Sequence, residues 1–97
     1  MDEDEARLVA LHHLNLRRGR AYRELSELCD RPQRFEARGP SGKIYSVEIE
    51  AYPDRGRRGG DLRVVATADD GSLAASLRPL CEDFIVRPDG SFVGEGG

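Results

Sequence analysis

A chain of 97 residues is long enough for one domain with a small core, and nothing in it suggests a second domain. Hydrophobic residues make up 38% of the chain and charged residues 34%, so we expect marginal stability that a partner or a second copy would improve. No apolar run approaches the roughly 20 residues of a membrane-spanning helix, so we expect no membrane partner.

The net charge is −3, but the charges are unevenly distributed along the chain, because its middle is basic and both ends are acidic. The acidic start Met1–Glu5 differs from the basic start of a secretory signal, so we expect a cytoplasmic protein. Cys29 and Cys81 are then expected to be reduced and to serve as small core residues. The many arginines would suit phosphate recognition, although a biased coding sequence is the simpler explanation.

Residues 2–30 are predicted to be helical, because apolar residues recur at spacings of three, four and seven. The members of this stripe are Leu11, Leu14, Ala21, Leu25 and Leu28, with Leu8, Tyr22 and Cys29 at its margins. Gly19 costs about 1 kcal/mol inside a helix, so we expect two helical segments in near continuity, with one long helix as the alternative. Pro32 should end the helical region.

The segment Lys43–Tyr52 contains the longest period-two alternation in the sequence, which predicts the central strand of an antiparallel sheet. Its apolar face consists of Tyr45, Val47, Ile49 and Ala51. Its polar face consists of Ser46, Glu48 and Glu50. We expect Glu48 and Glu50 to lie opposite arginines of the neighbouring strands, among Arg34, Arg38 and Arg63.

Shorter strands are predicted on either side of the central one, over residues 33–38 and 62–68. The segment Gly39–Lys43 has the composition of a phosphate-binding loop, but only two residues separate its glycines and a strand follows it. We therefore expect a turn that joins the first strand to the central strand.

Residues 72–83 are predicted to form a short helix or a 3₁₀ turn, because their apolar residues have helical spacing and Pro79 limits the length. A C-terminal hairpin is predicted from 84–87 to 91–93 around Pro88–Gly90. The expected fold is α+β: an N-terminal helix, broken near Gly19, packed on one antiparallel sheet of three strands, plus this C-terminal hairpin.

The sequence offers no set of residues for catalysis, for a metal or for a cofactor. The adjacent His12 and His13 diverge by about 100° on a helix, so one metal ion cannot bind both from one face. Cys29 lies at the C-terminal end of the predicted helix and Cys81 precedes two acidic residues, and both settings disfavour a thiolate. The pair Asp69 and Asp70 lies in a turn, where carboxylates are usually solvated. We expect a protein that is not an enzyme.

Two functions remain as hypotheses. The first is a protein-interaction module that meets a protein partner, or a second copy of itself as a homodimer, through a sheet edge or an open sheet face. The second is a nucleic-acid-binding domain that uses a glycine-flanked loop and the helix arginines. The loop residues, Arg55, Arg57 and Arg58, are the predicted binding site. The helix residues are Arg17, Arg18, Arg20 and Arg23. A solvated charge cluster is the commoner explanation of such a loop.

Overall fold

The computed structural model describes residues 2–56, 59–72 and 80–94. Two helices precede four strands. In chain order these are α1 (Glu3–Arg18), α2 (Tyr22–Glu27), β1 (Gln33–Arg38), β2 (Ile44–Pro53), β3 (Leu62–Asp69) and β4 (Leu80–Val86). Each strand pairs antiparallel with the next, which gives one sheet in the order β1-β2-β3-β4. The predicted α+β fold with an N-terminal helix on an antiparallel sheet is confirmed, and the sheet has four strands.

The helical region is divided into two helices near Gly19, as the sequence predicts. The α1 helix begins at the side chain of Asp2, which accepts a hydrogen bond of 3.1 Å from the N–H of Glu5, and it ends against Gly19. The α2 helix is a short segment that ends at Glu27, and turns connect it to β1 ahead of Pro32. The prediction of two segments is confirmed, whereas the expected helical end near residue 30 lies too far along the chain.

The face of α1 that packs on the sheet differs from the predicted stripe. Its buried apolar residues are Ala6, Val9, Ala10 and Leu14. The predicted member Leu8 is 59% exposed, and Leu11 is only half-buried. Small side chains on the buried face let the helix approach the sheet closely, and α1 packs mainly on β3 and β4. Leu14 is the one leucine of α1 that is fully buried among the described residues, whereas Leu8 and Leu16 are turned toward solvent.

The predicted faces of the central strand are confirmed in β2. Its four apolar residues, Tyr45, Val47, Ile49 and Ala51, are buried against the helices. On the opposite face Arg34 of β1 lies across from Glu48 and forms an ion pair with it, as expected. The other expected pairs do not form, because Glu50 lies across from Val65 and Arg63 binds Asp54 and Asp83 instead.

The prediction of a short helical piece over residues 72–83 is wrong for residues 80–83. Residues 80–83 belong to β4, not to a helical piece, because Leu80, Glu82, Phe84 and Val86 alternate along a strand that pairs with β3. The rest of that predicted helical piece, from 73 to 79, lies outside the described residues. The terminal hairpin is present in a minimal form, with a turn closed by the N–H of Gly90 on the carbonyl of Arg87 at 2.8 Å and a single bridge between Val86 and Phe92.

A buried carboxylate joins α1 to the turn between β1 and β2. Glu5 is only 7% exposed and accepts three hydrogen bonds of 2.7 Å, from the N–H and the hydroxyl of Ser41 and from the hydroxyl of Tyr45. Gly39 makes room for it, since a Cβ there would lie 2.8 Å from the Glu5 carboxyl carbon. The hydrogen bond from Tyr45, followed by those from Ser41, holds the pKa of Glu5 below its ordinary value. Burial, and then the bond to Glu5, raises the pKa of Tyr45.

The face assignment of β2 predicts opposite outcomes for two neighbouring substitutions. Ile49→Asp places an unpartnered charge at a fully buried position, so we expect a loss of more than about 4 kcal/mol, enough to unfold the domain. Glu48→Lys on the other face loses one ion pair and should cost less than about 1 kcal/mol. Urea unfolding followed by circular dichroism measures both. Reversed severities would show that the register is shifted by one residue.

The Glu5 network predicts a pH-dependent contribution to stability. Because the pKa of Glu5 is lowered below 4.5 in the folded protein, its contribution is fully present above that pH and is lost as the pH falls through the folded pKa. The Glu5→Gln variant should therefore melt lower than the wild type at neutral pH, and the gap should narrow in acid. Thermal melts across a pH series measure this gap, with the exposed Glu3→Gln as the matched control. A gap that is constant with pH would show that the carboxylate charge contributes nothing.

Candidate functional site

The loop that the sequence singled out connects β2 to β3. Arg55 lies in it and is exposed, whereas Arg57 and Arg58 lie outside the described residues. The base of the loop is closed by a hydrogen bond of 2.9 Å from the N–H of Asp54 to the carbonyl of Asp61. Arg63 reinforces the base, since its guanidinium binds Asp54 at 2.9 Å and also pairs with Asp83 on β4.

The arginines near the end of α1 face different flanks of the molecule. Arg17 turns toward β1, where its guanidinium donates to the side-chain oxygen of Gln33 at 2.7 Å and lies 5.5 Å from the ring centre of Phe35. Arg18 turns toward β4, with its guanidinium 4.9 Å from the ring centre of Phe84 and 5.1 Å from that of Phe92. The structure therefore does not bring these two arginines together on one phosphate-facing surface.

β1 lies at one edge of the sheet, and among the described residues no other strand pairs with its outer side. The N–H of Gly39 donates to the carbonyl of Lys43 at 2.8 Å, so these two residues form a hydrogen-bonded pair. Every second residue of β1 counted back from Gly39 therefore directs its backbone groups toward β2. Alternate residues of an antiparallel strand direct both backbone groups to the same side. Arg34, Glu36 and Arg38 consequently point their N–H and C=O groups away from β2, and no backbone hydrogen bond within the described residues reaches them. These side chains are all exposed.

The other edge of the sheet, along β4, is partly closed. There the residues that point away from β3 are Cys81, Asp83 and Ile85, by the same alternation. The carbonyl of Ile85 already accepts a hydrogen bond of 2.9 Å from the N–H of Val93. The C-terminal hairpin therefore occupies the end of β4, and β1 is the more accessible edge.

A groove of about 560 Å³ runs beside β1, between that strand and the two helices. Gln33 and Phe35 line it from β1. Leu16, Leu25 and Leu28 supply apolar surface from the helical region. Arg17 and Arg20 add positive charge, and Glu24 and Glu27 add negative charge. Leu16 is 55% exposed, so the groove presents apolar surface to solvent. A volume of this size is within the usual range for binding sites.

The histidines contribute ring surface at the wall of this groove. The ring of His13 lies 4.8 Å from that of Phe35 and 5.0 Å from that of His12, centre to centre. Burial, followed by the charges of His12 and Arg17, lowers the pKa of His13. These effects favour the neutral form of the imidazole, which lies next to Phe35.

The prediction that the two cysteines are core residues is wrong. Cys29 and Cys81 are both exposed, because Cys29 lies in the turns after α2 and Cys81 is on the face of β4 that points away from the helices. Among the described residues, no three His, Cys, Asp or Glu side chains are grouped so that they could hold a metal ion. No helix of the described chain is long and apolar enough to cross a membrane.

Sequence reasoning missed the β1 edge and its groove. Arg34 and Arg38 are predicted from the sequence only as cross-strand partners of Glu48 and Glu50, and a sheet edge is predicted as a binding surface without being assigned to a strand. The available signal was strand order, because the first strand of a sheet built from consecutive hairpins lies at an edge. The groove had no such signal, since it depends on how far α1 leans away from β1.

Comparison of the chain with protein-family models, with curated proteins and with solved structures found no match. The function is therefore argued from the geometry of the β1 edge and the groove alone.

The loop arginines remain a sequence-based prediction with a direct test. The sequence predicts an exposed loop here, so replacing Arg55, Arg57 and Arg58 together by Ser is expected to shift stability by less than about 0.5 kcal/mol. If the loop contacts phosphates, binding to a fluorescent DNA duplex should weaken steeply as salt is raised, and the triple variant should lose it. Fluorescence anisotropy over a salt series measures both properties. Binding by the triple variant with an unchanged salt slope would exclude the loop.

Proposed function

We propose that this chain is a non-enzymatic protein-interaction module that binds an extended segment of a partner as an added strand along β1. The observation that carries the proposal is the row of outward-pointing backbone groups of Arg34, Glu36 and Arg38 on an uncovered edge. In strand addition the backbone hydrogen bonds supply affinity, and they need no particular side chain from the partner. The edge therefore accounts for binding but not for selectivity.

The groove beside β1 supports the proposal by offering a source of selectivity. Successive side chains of an added strand point to opposite faces of the sheet. Those on the helix side would lie next to Phe35 and could reach the apolar surface of Leu16 and Leu28. Charged residues of both signs, including Arg17 and Glu27, line the groove, so a partner segment that alternates apolar residues with balanced charges fits it best.

The contrast between the two sheet edges supports the choice of β1. On β4 the Val93 N–H already satisfies the carbonyl of Ile85, and Phe92 packs on Phe84 with ring centres 5.5 Å apart. An added strand on that side would meet the C-terminal hairpin. On β1 the unsatisfied groups are exposed along the strand, and edges of that kind are templates for pairing.

The nucleic-acid hypothesis receives no comparable support. Arg17 and Arg18 make contacts on opposite flanks of α1, and Arg20 lies 3.5 Å from the carboxylate of Glu24. Phosphate recognition along a nucleic acid needs several cations on one continuous surface. Arg17 and Arg18 do not share such a surface.

One substitution separates strand addition from other modes of binding. Glu36→Pro removes an outward N–H and leaves the ladder to β2 in place, because proline is tolerated on an edge strand when its nitrogen faces solvent. Peptides selected from a displayed random library on the wild type should lose about tenfold in affinity for this variant, because one hydrogen bond is lost and a peptide carbonyl is left without a donor. The matched control, Glu36→Thr, changes the same side chain but keeps the N–H, and it should bind nearly normally.

The measurement is fluorescence titration of the selected peptides, combined with amide chemical shifts in the wild type. Strand addition predicts that the largest shifts lie at Arg34, Glu36 and Arg38. Circular dichroism confirms that the proline variant is folded before it is titrated. Selected peptides that bind the proline and threonine variants equally, or that shift only the β2–β3 loop, would contradict the proposal.

A further inference from the structure

We infer that the strand added at β1 is β1 of a second copy of this chain, paired antiparallel about a two-fold axis at Phe35; this inference rests on the strand addition proposed above. Its basis is the charge pattern of the strand itself. Along the open edge the side chains alternate in sign, as Arg34, Glu36 and Arg38. When two copies of such a strand run antiparallel, an arginine of one copy can lie opposite Glu36 of the other.

The geometry of a continuous sheet restricts how two copies of β1 can pair. Residues directly opposite each other in an antiparallel pair lie on the same face of the sheet. A two-fold axis must therefore pass at a residue and not between two residues. For a strand that spans 33–38, an axis at Phe35 or at Glu36 pairs five of its six residues, whereas an axis at Ala37 pairs only three.

An axis at Glu36 is disfavoured by charge. It places Glu36 opposite Glu36 of the second copy and each Arg34 opposite an Arg38. Like charges that face each other directly across strands destabilise the pair. This register forms the most backbone hydrogen bonds, but every charged pair in it is repulsive.

An axis at Phe35 is favoured by both charge and packing. It places Arg34 opposite Glu36 of the second copy, and the symmetry repeats this pair. Both residues point their backbone groups outward, so they also form the hydrogen-bonded positions of the new ladder. Arg34 already pairs with Glu48 in its own chain, and its five N–H donors allow it to bind both carboxylates.

The axis also brings two aromatic rings together. Phe35 meets Phe35 of the second copy at the closely spaced, non-hydrogen-bonded position, where side chains approach most nearly. Because Phe35 also lines the groove, the grooves of the two copies open toward each other there. An axis at Ala37 keeps the opposite-charge pairs, between Glu36 and Arg38, but it replaces the aromatic pair by two alanines.

Sedimentation equilibrium over a concentration series tests this dimer and its register together. The wild type should form a reversible dimer. Arg34→Glu and Glu36→Arg should each weaken it about tenfold or more, because two attractive contacts become repulsive. The double variant Arg34→Glu/Glu36→Arg should recover most of the affinity. Arg38→Glu is the matched control, since that residue faces Pro32 of the second copy and should have little effect.

Cysteine cross-linking provides a second readout. In a background in which Cys29 and Cys81 are replaced by Ser, Phe35→Cys should form an intermolecular disulfide under mild oxidation and Ala37→Cys should not. A disulfide formed by Ala37→Cys but not by Phe35→Cys, together with a weaker dimer for Arg38→Glu, would indicate an axis at Ala37. That outcome would overturn the Phe35 register. A wild type that is monomeric at millimolar concentration would overturn self-pairing. The peptide titrations on Glu36→Pro would still decide whether β1 binds other strands.

Discussion

The carboxylate of Glu5 is the interaction on which the placement of α1 depends. A buried carboxylate is costly unless hydrogen bonds satisfy it, and here Ser41 and Tyr45 supply three donors. The turn that resembled a phosphate-binding loop in composition thus binds an anionic group of its own chain. Because the donors lie on the β1–β2 turn and on β2, the first turn of α1 is held at that end of the sheet.

Residues near both ends of the helix also contact the C-terminal part of the sheet. Arg7 donates to Glu82 of β4 at 3.0 Å, and Arg18 lies over the rings of Phe84 and Phe92. These contacts hold α1 mainly over β3 and β4. Arg17 and His13 reach across to Phe35 of β1. The groove and the open edge of β1 are therefore consequences of how α1 is held, and they are not independent features of the strand.

The sequence predicted those features whose signal is local. The faces of β2 follow from a strict alternation, and the break between α1 and α2 follows from Gly19, so both were confirmed. The buried face of α1 could not be predicted in this way, because apolar residues occur around most of the helix. The sheet selects Ala6 and Ala10 over Leu8, since a close approach favours small side chains.

Other features depend on partners that are distant in the chain. Glu5 is buried only because Ser41 and Tyr45 meet it, and nothing near Glu5 in the sequence indicates this. Leu80 and Cys81 fit a helical spacing as well as a strand, and pairing with β3 decides between them. For the same reason the candidate site was missed, because an edge and a groove are properties of the assembled sheet.

Charge has two effects on an exposed edge strand. A row of like charges would keep any second copy away, which is the usual protection of an edge. The alternating Arg34, Glu36 and Arg38 repel a second copy only when the axis passes at Glu36, and they attract it when the axis shifts by one residue to either side. Phe35 then distinguishes the two remaining positions, because only one of them brings aromatic surface together. The same side chains that keep the edge hydrated can in this way select a single register for it.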